Sequence, residues 1–143
     1  SICIFQYLRL NNAELTPSLW LYSIHGKNAD IIHMLESDHI KPPKGRYDEC
    51  LKESIKCHHN DIAIYIQNYL INVIYFLEIN LNLSTSMYSL QFHNYGLLKD
   101  DLIHNDIFFY ACFYNYINIV KILINNDEID INYRLVLNFF FLI

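Results

Sequence analysis

Apolar residues in the first third of the chain fall at helical spacing. Leu19, Trp20, Ser23 and Ile24 recur at i, i+1, i+4 and i+5, one face of a short helix, and Ile31, Ile32 and Leu35 mark the face of a second. Between them "HGKN" reads as a tight turn. Asn28 is placed to cap the second helix, and Asp30 lies in its first turn, where an acid suits the helix dipole. The same reading along the chain predicts helices near 18–25, 29–36, 49–56, 61–70, 107–114 and 117–125, with Trp20 and Leu123 buried between them. Helices of about two turns do not persist alone in water, so their stability must come from neighbours.

The pattern also repeats. Thirty-one residues on, Ser54, Ile55, Asp61, Ile62 and Ile66 stand where Ser23, Ile24, Asp30, Ile31 and Leu35 stood. A third copy follows in "YACFYNYINIVKILINNDEIDINYR" (Tyr110 to Arg134), with Ala111 at the serine position, Asn118 at the acid and Ile119 after it. Two short helices per unit of about 30 residues signal a stacked array. Between the second and third copies, "MYSLQFHNYGLLKDDLIHND" (Met87 to Asp106) reads as a degenerate unit with a shortened second helix, or as a bend.

The third copy resembles an ankyrin repeat. Ala111 and Cys112, Asn118, Ile119-Val120-Lys121, Leu123 and Asp130-Ile131-Asn132 match the family's small pair, acid position, Ile-Val-Lys, Leu and closing Asp-Val-Asn. Asp106-Ile107-Phe108-Phe109 replaces the usual Thr-Pro-Leu-His, losing the Pro and the His. The first two copies, with Ser18-Leu19-Trp20-Leu21 and Glu49-Cys50-Leu51-Lys52 at that place, resemble the divergent ankyrin-like domains of unknown function found beside ankyrin repeats in protist proteins. The resemblance implies an all-α, ankyrin-like helix–turn–helix repeat solenoid. Its parts are expected as follows: residues 1–17 the remnant of a preceding helix or repeat, 18–84 two divergent units, 85–106 a degenerate or irregular unit, 107–134 an ankyrin repeat and 135–143 a truncated tail.

Composition narrows the functional classes. At 143 residues, 53% hydrophobic and 17% charged, the chain suits one packed domain and not a disordered tail. A net charge of −5 with ten scattered Lys and Arg lacks the basic footprint of a nucleic-acid binder. The terminal "LVLNFFFLI" is nine residues, against roughly 20 needed to cross a bilayer, so a cut-off helix or strand is expected there rather than an anchor. The opening "SICIFQYLRLNN" has no initiator Met and no secretory pattern, so the chain is expected to be a piece of a longer protein.

Candidate chemistry concentrates in "KCHHND" (Lys56 to Asp61). In register, Cys57, His58 and His59 fall on Gly26, Lys27 and Asn28, an interhelix turn whose first copy lacks all three side chains. Cys50, Cys57, His58 and His59 fit no zinc spacing, and sequence neighbours on one turn seldom form a Cys–His pair. The two histidines are expected to be surface turn residues whose replacement by Gly and Asn leaves the melting temperature nearly unchanged. Asp127, Glu128 and Asp130 are expected to be a solvated loop face. Cys50 and Cys57 on one helix stand about 10 Å apart, too far for a bridge, which favours reduced thiols.

No catalytic, metal or cofactor residue is therefore expected, and the chain is read as not an enzyme. The expectation is a protein–protein interaction scaffold, intracellular (cytoplasmic or nuclear), binding another protein but no nucleic acid, membrane or small-molecule substrate. The alternative is a structural spacer or regulatory arm of a larger repeat protein. In "DHIKPPKGRYDE" (Asp38 to Glu49), Pro42-Pro43 stiffens a turn from which Lys41, Lys44, Arg46 and Tyr47 are expected to project as protein-binding residues; the same charges would equally serve a solvated loop.

Overall fold

In the computed structural model, residues 2–71, 78–98, 105–125 and 129–130 are described. Among them are eight α-helices and no strand: α1 (Ile2–Leu10), α2 (Leu19–His25), α3 (Ala29–Ser37), α4 (Asp48–Lys56), α5 (Asn60–Tyr65), α6 (Glu78–Gln91), α7 (Asn105–Phe113) and α8 (Ile117–Ile124). Four of the six expected helices start and end within a residue of the sequence expectation. Asp127, Glu128, Ile131, Asn132 and the 135–143 tail lie outside the described residues.

Helices α2 and α3 pair, as do α4 and α5, and α7 and α8. The first member of each pair also packs along a series: α2 on α4, α4 on α6, α6 on α7. Close approach is possible because a small residue faces the neighbour in each, namely Ser23, Ser54, Ser89 and Ala111, all 4% exposed or less. Ser23 and Ser54 return their hydroxyls to the Trp20 and Leu51 carbonyls of their own helices at 2.8 and 2.7 Å, so burial leaves neither polar group unmet.

One buried cluster spans α1 to Ile71, centred on Trp20, Ile24, Leu35, Leu51, Ile55 and Ile66; a second joins Leu90, Ile107, Ala111 and Leu123. Trp20 is fully buried and Leu123 nearly so, as expected. Helix α1 docks against α3 through buried Phe5 and an Arg9–Asp38 ion pair.

Two elements differ from the sequence reading. The helix expected over 61–70 is α-helical only to Tyr65 and continues as a π turn, Ile66–Leu70, closed by the Ile71 N–H on the Ile66 carbonyl at 3.0 Å. Ile66 and Ile71 are both buried, and a five-residue turn sets residues five apart on one side, which the α spacing does not. Helix α6 runs 14 residues and is followed by a 3₁₀ turn, Tyr95–Leu97. No described helix is long and apolar enough to cross a membrane.

Candidate functional site

Helices α2, α4, α6 and α7 each end in the same turn. A residue with left-handed backbone closes it: Lys27 (φ 49°), His58 (58°), His93 (57°) and Asn115 (59°). The next residue then bonds its N–H back to the carbonyl of the small residue five positions earlier, at 2.8 Å for Asn28 to Ser23, 2.9 Å for His59 to Ser54, and 2.8 Å for both Asn94 to Ser89 and Tyr116 to Ala111. This is the hydrogen bonding of a left-handed helix C-terminus.

That next residue also reaches across to the preceding turn. His59 Nε2 faces the His25 carbonyl at 3.4 Å, Asn94 Nδ2 donates to the Ile55 carbonyl at 2.9 Å, and the Tyr116 hydroxyl donates to the Leu90 carbonyl. Asn94 is buried and also donates to Asn60 Oδ1 at 2.7 Å. Carbonyls at helix C-termini lack intrahelical partners. Here the Ile55 and Leu90 carbonyls already accept the His58 and His93 N–H of their own turns, and the following turn adds a side-chain contact at three successive junctions.

Sequence register placed copies at Ser23, Ser54 and Ala111 but none at Ser89. The signal was present: "SIHGKN", "SIKCHH", "SLQFHN" and "ACFYNY" share a small residue, a left-handed residue four on and a donor-bearing side chain five on. Unequal spacing between them left the third without a register, read only as a degenerate unit or a bend.

At the first junction the turns bring three chemistry-bearing side chains together. His25 ends α2; Glu53 and Cys57 lie one helical turn apart on α4 and at its C-cap. His25 Nδ1 is 3.1 Å from Glu53 Oε1 and 3.4 Å from Cys57 Sγ, and Cys57 Sγ is 3.6 Å from the same Glu53 oxygen. Lys56 Nζ is 3.3 Å from Glu53 Oε2. Burial works to raise the Glu53 carboxyl, but hydrogen bonds from His25, Lys56 and Cys57 outweigh it and hold the group below its ordinary value. The Cys57 thiol is pushed up by burial and by the Glu53 charge.

The four side chains weighed in the sequence do not assemble. Cys50 is fully buried, its thiol raised to about 12 by burial and then by Glu49 and Asp48. His58 is exposed, and His59 faces the His25 carbonyl. Sequence reasoning missed His25 because it sought ligands within one turn, whereas stacking sets equivalent turns side by side. All four cysteines are free thiols.

The other candidate surface is the loop between α3 and α4. Lys41, Lys44 and Arg46 are exposed, Lys44 paired with Glu49 and Arg46 with Asp48, each at 2.7 Å. Tyr47 does not project as expected. It is half-buried, its ring edge-on to Trp20 at 5.2 Å, and burial followed by the Glu36 and Cys50 charges raises its hydroxyl. Trp20 accounts for this: its indole N–H donates to the Ile40 carbonyl at 2.7 Å, drawing the loop onto α2 and over its own ring.

Residues 11–97, well over half of the chain, match the family described as a domain of unknown function, DUF3447. The chain belongs to the DUF3447 family. The DUF3447 match runs from the end of α1 to the 3₁₀ turn after α6, so it contains the first two cross-turn junctions and the His25–Glu53–Cys57 cluster. No curated protein and no solved structure matches the chain.

Proposed function

We propose that this DUF3447 chain is an ankyrin-like repeat module that acts as a non-enzymatic, intracellular scaffold for another protein. The observation that carries the reading is the row of equivalent turns, each bonded to the carbonyl of the one before, along the series α2, α4, α6 and α7. Units that contact only their neighbours form an extended surface suited to a macromolecular partner. The 38–47 loop is the contact surface we favour. Its basic side chains stand on a backbone fixed by the Trp20 bond and by buried Pro42, so little ordering is required on binding.

The test is affinity capture with the whole chain, comparing wild type with a Lys41→Glu/Arg46→Glu double variant and with Lys121→Glu on α8. A partner held by wild type and Lys121→Glu but released by the double variant supports the reading. A spacer or regulatory arm without its own partner predicts that nothing is retained specifically. A partner held equally by all three proteins would place the contact elsewhere.

A further inference from the structure

The His25–Glu53–Cys57 cluster has a shape that a hydrogen-bonded relay does not require. In a nucleophilic relay the base receives the nucleophile on one ring nitrogen and its orienting acid on the other. Here the thiol and the carboxylate both meet His25 Nδ1, and the thiol meets the same Glu53 oxygen. A single nitrogen cannot accept from one and donate to the other at once. The three atoms form a closed triangle around a common point.

The edges of that triangle fit a coordination sphere. Tetrahedral zinc holds nitrogen and oxygen ligands at about 2.0–2.1 Å and thiolate at about 2.3 Å, which separates N from O by about 3.4 Å and either from S by about 3.6 Å. The observed edges are 3.1, 3.4 and 3.6 Å. Expansion by a few tenths of an ångström along the N–O edge makes the triangle one face of a tetrahedron. The ligand types, imidazole, carboxylate and thiolate, are those that zinc accepts, whereas calcium and magnesium take oxygen.

We propose that His25 Nδ1, Glu53 Oε1 and Cys57 Sγ bind one zinc-class divalent cation at the junction of the first two helix–turn units. On binding, the Cys57 S–H bond breaks, its proton passes to solvent, and Sγ forms a bond to the metal; no oxidant or reductant takes part. The fourth position opens to solvent beside His25, whose side chain is 69% exposed, and takes a water molecule. The Lys56 ammonium lies 3.3 Å from Glu53 Oε2 and 3.5 Å from the ligand oxygen Oε1, and its half-exposed side chain is able to turn outward as the metal arrives. Because the ligands come from α2 on one side and α4 on the other, the metal would fasten adjacent units together. The inference rests on this geometry and not on the scaffold reading.

The experiment uses the purified 143-residue chain, reduced with a phosphine that does not itself bind as a thiol. Cobalt(II) titration is expected to give a thiolate-to-cobalt charge-transfer band saturating at one ion per chain and bleached by Zn²⁺, and Zn²⁺ is expected to raise the melting temperature. His25→Ala, Glu53→Gln and Cys57→Ser should each weaken binding by more than the roughly 10–100-fold that loss of an outer-shell group costs. His58→Asn, one residue from Cys57 but outside the triangle, should bind as wild type. Absence of both the band and the melting shift in wild type overturns the proposal. So does a band that survives Cys57→Ser, or a melting shift of full size in His25→Ala, since the ion would then sit elsewhere. All three ligands lie at the surface or partly so, and metal-free melting of each variant verifies that it remains folded.

Discussion

The left-handed residues that close the turns carry a cost visible one side chain at a time. Lys27, His58, His93 and Asn115 all adopt φ near +50 to +60°, where a Cβ crowds the following carbonyl by about 1–2 kcal/mol. Next to each stands a residue placed to cap the following helix. Asn28 does so, accepting from the Ile31 N–H at 3.1 Å, whereas His59 makes no such bond. The sequence alone predicts that exchanging His58 and His59 for Gly and Asn leaves the melting temperature nearly unchanged. The geometry predicts a gain: glycine relieves the backbone and asparagine caps α5, a net stabilisation of about 1 kcal/mol even without the weak hydrogen bond from His59 to the His25 carbonyl. Thermal melting at neutral pH reads the outcome, and a lower midpoint would show that the His59 bond matters more than its 3.4 Å length suggests. Ser89 offers a second case. Its hydroxyl is buried without a partner, whereas Ser23 and Ser54 both bond to their own helices. Ser89→Ala, which copies Ala111, should therefore raise stability by about 1 kcal/mol in urea unfolding.

At the scale of elements, periodicity found the two-turn helices because each has a clear buried face, and it misjudged the segments whose shape is decided by contacts across the chain. Nothing local distinguishes Tyr47 from an exposed loop tyrosine; the bond from Trp20 to Ile40 does. Trp20→Phe keeps most of the ring volume and removes that bond, so it should cost about 1–2 kcal/mol and make the 38–47 loop more susceptible to protease. Equal digestion of both proteins would mean that the indole N–H does not hold the loop. The same long-range logic governs α2 and α4 through Glu53. Its folded carboxyl lies below the ordinary value of 4.5, so the folded state binds its proton less readily than the unfolded chain does. The stabilisation is complete above pH 4.5 and is lost as pH falls through the lowered value. Glu53→Gln should thus flatten the acid limb of the stability–pH curve while leaving its slope above neutrality unchanged, as urea midpoints across the range would show.

For the molecule as a whole, the turns after α2 and α4 were readable because Ser23 and Ser54 lie 31 residues apart with matching neighbours, while the segment holding Ser89 was read only as a degenerate unit or bend, since a different spacing shifts its register. The His25–Glu53–Cys57 triangle was invisible for a related reason: its residues belong to different helices, and only the packing of α2 on α4 makes them neighbours. The serial order of α2, α4, α6 and α7 has a further consequence, which concerns time rather than geometry. Helices α4 and α6 are flanked on both sides, whereas among the described helices α2 and α7 each have one neighbour in the series. Opening that starts at either end of the series need break only one interface, but exposing α4 or α6 requires an end to have opened first or two interfaces to part together. Backbone amides of α4 and α6, Leu51 to Ile55 and Ser86 to Leu90 above all, should therefore be the last to exchange with deuterated solvent. Protection should decline stepwise toward both ends, so that the chain loosens as a row from its margins inward.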